Sequence, residues 1–390
     1  MRVLVIGGGA VGAAVALFLK RLGGAAVDVL VLEPDPALAR ASSALSAGSV
    51  RQQFSNAINV QMSQFGHQVI SQADAWLGVD GQPVHVGWVP GAYLFCASSA
   101  GADVLHHNHA VQRGAGADVA LLTPTELALR FPWLRSDDLA LASLGLPGEG
   151  WLDGQAWANA LGAKARQLGA SWRRDAVVGL QRDGPRLVAA SLASGDALQA
   201  DAFVNAAGPW AGAVGRLAGL AVPVHARRRT VFMLTCPTPL PPTPLVVDNA
   251  GCWFRSEGRG FIAGWSPGEG DADPDDLPLD QPDLAQFEDR VWPALAQRVP
   301  AFEALRVQHA WAGYYEVHPL DHNAMIGPHP DCSNFWLCNG FSGHGLQHAP
   351  AAGRGLAELL LAGSFSSLDL SAFSPRRVLT GQAFVEQAII

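Results

Sequence analysis

Cysteine is scarce in this sequence. There are five (Cys96, Cys236, Cys252, Cys332, Cys338), an odd number, widely spaced and with no C-x-x-C pair. That excludes a disulfide framework and a thiolate metal site, and suggests reduced thiols in a cytoplasmic protein. Basic charge is also short: 26 Lys and Arg against 34 Asp and Glu, a net −8. A general nucleic-acid or anionic-membrane binder is therefore not expected. No unbroken apolar run reaches the roughly 18 residues of a transmembrane segment. Histidine is more plentiful, with 12 residues. Its densest group, His106-His107-x-His109, has no acid or cysteine at ligand spacing, so a solvated loop is expected there and no metal. What remains is a globular composition, 49% hydrophobic and 15% charged, in 390 residues. Such a chain is long enough for two lobes with sizeable cores.

The strongest local signal lies at the start. Met1 to Ile6 is an apolar run too short for a helix, Gly7-Gly8-Gly9-Ala10-Val11-Gly12 follows, and Ala13 to Leu19 has helical character. A second apolar run, Val27 to Leu32, ends in Glu33. This is strand, glycine turn, helix, strand, acid. Gly7 permits the tight turn, Gly9 lets a pyrophosphate approach the backbone, and Gly12 lets the helix pack on the strand. The helix N-terminus attracts the phosphate charge, and Glu33 accepts from a ribose hydroxyl. A secretory leader would also begin apolar, but glycines interrupt this run and an acid closes the next one.

Further along, residues 40–55 are small and polar, then basic, and a helix is expected from about Asn56 to Leu77. Val84 to Ala97 alternates like a strand. Thr123-Pro124-Thr125-Glu126 caps a short helix. Gly145 to Gly154 is turn-rich, residues 155–168 read as a helix, and Ala176 to Leu180, Leu187 to Ala193 and Ala197 to Ala200 as strands. Ala202 to Asn205 is another short buried strand before a glycine turn. From Pro223 the pattern becomes antiparallel: His225 to Thr235, then several strand-like segments between Leu245 and Gly264. An acidic loop, Gly268 to Asp283, leads to a helix from Leu284 to Arg298. Strand Phe335 to Cys338, a glycine turn and a helix to about Ala362 close the pattern. The nucleotide lobe is thus expected in three separated stretches. Only one G-x-G-x-x-G opens a helix after a strand, so no separate nicotinamide domain is expected.

The chain resembles the D-amino-acid oxidase-like flavoprotein superfamily, in the branch with sarcosine oxidase, glycine oxidase and dimethylglycine dehydrogenase. Within that branch it is most similar to the FAD-dependent oxidoreductase domain proteins of mitochondria and bacteria. The resemblance rests on GGGAVG with Glu33, SSALSAGSVRQQFS from Ser42, NAAGPWAG from Asn205, WAGYYEVHPLDHNAMIGPHP from Trp311 and NGFSGHGLQHAP from Asn339. It implies an α/β fold: a Rossmann-like FAD-binding domain with an inserted, mostly antiparallel β-sheet substrate domain of α+β character. The expected division is 1–77, 145–220 and 310–390 for FAD, and 78–144 and 221–309 for substrate.

The resemblance also implies site residues. For FAD these are Gly7, Gly9, Ala10, Val11, Gly12 and Glu33; Ser42, Ser43, Ser46, Ala47 and Gly48; and Val178, through its backbone, at the adenine. Ala207, Gly208, Trp210 and Gly313 follow, then Gly340, Gly343, His344, Gly345, Leu346 and Gln347 at the flavin ring. Ser42 and Ser43 could also be an ordinary polar loop, and Trp210 plain core. A helix N-terminus near Pro350 would face the flavin edge that gains negative charge. Arg51 is expected to dock a substrate carboxylate by paired charge-assisted bonds. Tyr315 closes over the substrate, and Gln347 and Arg255 are further substrate contacts, with Arg259 beside Arg255. His344 is either an acid–base group or a structural loop histidine. Arg227-Arg228-Arg229 reads as a solvated strand edge, although Arg229 matches a recurrent family arginine. Asp321 reads as part of a framework turn.

Departures from relatives matter as well. Gly313 stands where sarcosine oxidase has its flavin-linking cysteine, and Leu45 about where dimethylglycine dehydrogenase has its linking histidine, so FAD is expected to be noncovalent. Gln347 replaces a pocket lysine, and Ile262 aligns near an oxygen-activating lysine. The expected activity is C–N oxidation of an amino acid or N-methylated amino acid by hydride transfer to flavin N5. The expected acceptor is a quinone or an electron-carrier protein. An oxygen-using oxidase and a nonenzymatic flavoprotein that assists assembly of a membrane complex are the alternatives.

Overall fold

Val3, Leu4 and Val5 have no exposed surface, and the strand they form, Arg2–Ile6, lies inside a six-stranded sheet. It pairs in parallel with Asp28–Leu32 on one side and Ala202–Asn205 on the other. Ser171–Arg173 lies beyond the former; Cys332–Asn339 and then Met325–His329 lie beyond the latter. Every pairing is parallel except the last. Strands covered on both faces need continuous apolar runs, which is why these segments lack alternation. The computed structural model of the chain describes residues 1–268 and 270–387.

The helix Ala10–Gly23 follows the first strand and packs against Gly154–Gln167 and Gly345–Ala362. Its small residues allow close approach: a Cβ on Gly353 would lie 2.6 Å from the Ala14 carbonyl carbon. The second layer is an eight-stranded sheet in the order Arg306–Val317, His225–Thr235, Gly260–Trp265, Cys252–Glu257, Leu245–Val247, Tyr93–Ala97, Leu141–Gly145, Val119–Leu122. It is antiparallel apart from the pairing of Leu245–Val247 with Tyr93–Ala97. Phe232, Phe254 and Phe302 are fully buried in its own core. None of the described helices is long and apolar enough to cross a membrane.

Several details differ from the sequence reading. Residues 310–317 were expected with the nucleotide layer, yet they belong to Arg306–Val317, which pairs along its length with His225–Thr235. His106 to His109 lie on a helix, Ala102–Gly114, and not in a loop. No proline interrupts that stretch, and Asn108 and Gln112 supply its buried face, so its polar character hid its periodicity. The single helix expected over 56–77 breaks at Gln72 (φ −116, ψ 36) into Ala57–Ser71 and Ala73–Leu77. Of Val84 to Ala97, only Val89–Gly91 and Tyr93–Ala97 are strands. The turn-rich stretch 145–154 contains the strand Glu149–Trp151, paired on both sides. The helix expected from Leu284 opens as a π turn, Phe287–Val291, before Trp292–Arg298. Pro293 has no N–H to donate, so the regular ladder cannot run through it.

The Arg227-Arg228-Arg229 row is not a solvated edge. Residues 227–229 pair with residues 313–315 on one side, and the acidic segment bridges Arg227 at Asp275 and lies across the row. Alternation told which arginines share a face, but not that the strand was interior.

Candidate functional site

A cavity of about 790 Å³ runs between the two layers. One end is built by the first glycine turn. Gly7 sits at φ +103, and a Cβ on Gly12 would lie 1.9 Å from the Gly7 carbonyl oxygen, so only glycine allows this helix to meet this strand. Gly12 is therefore a packing residue and does not line the cavity, whereas Gly7, Gly9, Ala10 and Val11 do. Gly9 caps the helix without any side-chain bond, so its first N–H groups have no side-chain partner there. Glu33 lines the same end. Each of its oxygens accepts one backbone N–H, from Gly8 at 2.8 Å and from Asp35 at 2.9 Å. Each oxygen keeps a second lone pair for a ribose hydroxyl. Burial raises the Glu33 pKa from its ordinary value, opposed by those N–H bonds.

The middle of the cavity carries Ser42, Ser43, Ser46 and Ala47 on one wall, and Ala207, Gly208 and Trp210 on the other. The Ser42 hydroxyl donates to the Tyr314 carbonyl, and Ser46 to the Ser43 carbonyl. Ser43 Oγ is buried with no partner among the described residues, close to where a Cβ on Gly9 would be. Gly48 does not line the cavity; a Cβ there would meet the Leu152 carbonyl oxygen at 1.9 Å, so it serves the turn. Trp210 is not plain core. It is 37% exposed, edge-on to Tyr314 and capped by Arg40 at 5.7 Å. Val178 also lines the cavity, with its side chain half exposed.

Gly343, Gly345 and Leu346 line the third region, opposite Gly313, Tyr315 and Glu316. The helix Gly345–Ala362 begins here with His344 as its N-cap and no side-chain bond to it. Gly340 sits behind, its N–H bonded to the Glu316 carboxylate. Burial pushes the Glu316 carboxyl up to about 7, against the N–H groups of Gly340 and Phe341. The two positions where relatives carry a flavin link converge, since a Cβ on Gly313 would lie 3.0 Å from Leu45 Cβ. Neither glycine nor leucine can form such a bond. Ile262 is buried among Tyr93, Val231, Leu245 and Trp253 and does not line the cavity.

Arg51 does not line the cavity, contrary to expectation. Its guanidinium bonds the Gln53 carbonyl, lies 4.0 Å over the Phe54 ring, and donates to His344 Nε2 at 3.0 Å. A guanidinium cannot accept, so that histidine nitrogen must. Burial, then the nearby Arg51 charge, holds the His344 pKa well below its ordinary value. The structure thus places His344 against Arg51 and outside the cavity lining, with its neutral form favoured. Gln347 turns its amide oxygen to the Arg51 N–H at 2.6 Å and away from the cavity. Arg255 is buried over Trp151, bonded to the Ala47 carbonyl at 2.8 Å and to Glu257. Arg259 is exposed in a hairpin turn. None of these can be reached from the cavity as the residue types alone suggested. Arg51 and Gln347 instead bond each other, away from the cavity. Asp321 is structural: burial opposes its charge, but His318, Arg377 and the Phe384 N–H hold it below the ordinary carboxylate range.

The sequence reading missed Glu316, Thr230, Trp253, Trp265 and Ser266, all cavity-lining. Glu316 carried a weak signal, since it follows Tyr315 in the same motif. The others come from strands whose order in the sheet is invisible in sequence.

The fit to FAD is good. The cavity combines an uncapped helix N-terminus, an acid poised for a ribose, an orphan serine hydroxyl at the expected pyrophosphate wall and a second helix N-terminus at the far region. Residues 2–359 match the DAO family, described as FAD dependent oxidoreductase. The chain is 38% identical to FAD-dependent oxidoreductase domain-containing protein 1 of Xenopus laevis, over 100% of this chain and 84% of that protein. It is 26% identical to human mitochondrial sarcosine dehydrogenase over 93% of this chain, which spans 40% of that protein. The crystal structure of L-proline dehydrogenase from P. horikoshii superposes with a TM-score of 0.84 at 25% identity, covering 98% of each chain. The chain belongs to the DAO family of FAD-dependent oxidoreductases.

Proposed function

We propose that this flavoprotein oxidises the C–N bond of an amino acid or N-methylated amino acid, and does so as a dehydrogenase. The observation that carries the reading is the make-up of the cavity beyond Gly343. Tyr315, Trp253 and Trp265 offer aromatic walls, Thr230 and Ser266 offer hydroxyls, and Arg229 offers one positive charge. That suits a small, partly apolar molecule bearing a carboxylate. Sarcosine and L-proline, named in the relatives above, are molecules of this kind.

FAD, when bound, supplies the acceptor for the hydride on the carbon next to nitrogen. The protein's part is binding and orientation. Burial raises the Tyr315 pKa, so its hydroxyl stays protonated and available as a donor. His344 holds Arg51 and the glycine turn in place without exchanging protons. The aromatic walls exclude water from the reacting carbon. Among the described residues lining the cavity there is no lysine, which argues for an acceptor other than oxygen, because a lysine ammonium beside the ring would stabilise superoxide. A quinone or an electron-carrier protein fits that role. Gly313 and Leu45 support noncovalent FAD, and acid precipitation should release the flavin to the supernatant.

The test is anaerobic mixing with sarcosine, dimethylglycine, glycine, L-proline and a set of D-amino acids. Bleaching of the flavin by at least one, with no peroxide formed at the turnover rate in air, is expected. Stoichiometric peroxide would make the protein an oxidase. A flavin that none of them reduces, with a stable protein partner in pull-downs, would favour the nonenzymatic role.

A further inference from the structure

We infer that Arg229 is the anchor for the substrate carboxylate, and that Asp273 on the acidic segment holds its place until substrate arrives. The inference rests on the amino-acid reading above for the identity of the ligand. Arg229 and Arg40 are the cationic side chains among the described residues lining the cavity. Arg40 lies at the other end over Trp210. Arg229 lies 5.4 Å over the Tyr315 ring, next to Thr230, Trp265 and Ser266.

Its guanidinium is engaged by a carboxylate in the way an amino acid would engage it. Nη1 donates to Asp273 Oδ1 at 2.7 Å and Nη2 to Oδ2 at 2.9 Å, a parallel two-bond pair. Two polar groups on cavity-lining residues are buried with no partner among the described residues: Arg229's own Nε and the Ser266 hydroxyl. Arg229 thus has a donor to spare, and the Ser266 hydroxyl in the same cavity can bond an incoming ligand.

The displaced carboxylate has somewhere to go. Arg227 Nε already lies 3.9 Å from Asp273 and 3.1 Å from Asp275, whose carboxylate also meets His225 at 2.6 Å. A short shift keeps Asp273 paired, so the exchange swaps one ion pair for another and leaves no buried charge bare. The far half of the segment is held differently, through its backbone carbonyls. Arg228 donates to the Pro278 and Gln281 carbonyls, and the Tyr314 hydroxyl to the Leu277 carbonyl at 2.6 Å. Nearer Asp273 the segment is also held, by the Asp276 N–H on the Ala226 carbonyl at 3.0 Å and by Arg290 on Asp271 at 3.4 Å, so the exchange asks only the Asp273 side chain to move. A neutral amine gains nothing from the exchange, so the arrangement selects for a carboxylate.

The experiment titrates the FAD-loaded protein with benzoate, and with its neutral isostere benzamide, following the flavin absorbance. Arg229→Gln should weaken benzoate by about tenfold or more, the loss of one charge-assisted pair, and leave benzamide unchanged. Asp273→Asn removes the competitor and should tighten benzoate by about two- to fivefold, the worth of a partly exposed pair. Arg51→Gln should leave the preference for benzoate over benzamide intact. Benzoate affinity insensitive to both Arg229→Gln and Asp273→Asn, a preference lost only in Arg51→Gln, or no benzoate response in either wild type or Asp273→Asn, would each overturn the inference. If Arg229→Gln does not fold, Asp273→Asn alone decides. The expected benzoate pattern in a protein that no amine reduces would sink the proposed function and leave this anchor standing.

Discussion

Replacing Gly343 by alanine asks whether the glycine turn and Tyr315 form one rigid wall of the FAD cavity. Gly343 sits at φ +94, and a Cβ there would lie 2.6 Å from Tyr315 Cε2 and 3.1 Å from both Cδ2 and Cζ. Two costs add. A side chain at this φ carries about 1–3 kcal/mol of backbone strain. Overpacking against the ring costs about 1–3 kcal/mol more unless the ring moves. Tyr315 is half-buried and its open side is the cavity, so the ring yields into space that the cofactor needs. The penalty should therefore appear mainly as weaker FAD binding. Assigning about 2–4 of the combined 2–6 kcal/mol to binding, and the rest to folding stability, the Kd should rise about 30- to 700-fold. The assay is titration of the apoprotein with FAD, followed by quenching of flavin fluorescence, with melting curves as a check on folding. Adding Tyr315→Ala removes the ring overlap but not the strain at residue 343. The double variant should then recover the overpacking part and keep the rest, and the cycle isolates the contact. A Gly343→Ala protein that binds FAD within threefold of wild type, or a double variant that recovers nothing, would refute the reasoning.

Other expectations follow from particular contacts. Arg298 is buried and bonds Asp248 and, through two nitrogens, Asp138; Arg298→Met should destabilise by about 3–5 kcal/mol in denaturant melts, because Asp248 is left buried without its partner. Thr123 and Glu126 form a reciprocal cap on the helix Pro124–Arg130, so Thr123→Ala should cost about 1 kcal/mol and leave the flavin spectrum unchanged. Burial pushes the carboxyls of Glu149 and Glu316 from 4.5 up to about 7. The folded protein favours their protonated forms, so this stability is complete below about 4.5 and fades as pH rises through 7. Each group contributes at most about 3 kcal/mol. Glu149→Gln should lower stability overall but halve the fall in melting temperature across that window, and an unaltered slope would count against it.

Pattern recognition in sequence works where the backbone itself is the signal. The Gly7–Gly9–Gly12 turn, the apolar runs around it and Glu33 were all readable, because close contacts at Gly7 and Gly12 forbid any side chain and both strand faces are buried. The cap at Thr123 was readable for a similar reason: it is satisfied within four residues. The reading failed where partners come from far along the chain. Arg51 is the right residue type in the right motif, yet it faces Phe54 and His344. Arg229, in a row that looks like a charged edge, reaches the cavity because the strand beside it arrives more than seventy residues later.

By itself, then, the order of residues determined the glycine turn at which a strand meets a helix, since glycine's missing side chain is a local property with a local consequence. It also determined the family and, through it, the flavin. Only the tertiary structure decided which arginine lines the cavity, which histidine is buried against a guanidinium, and that the acidic segment lies across its basic counterpart. Those are matters of depth and of neighbours. Charge, hydration and access depend on what the rest of the chain places around a side chain, and alternation along one strand reports its face but never what covers it.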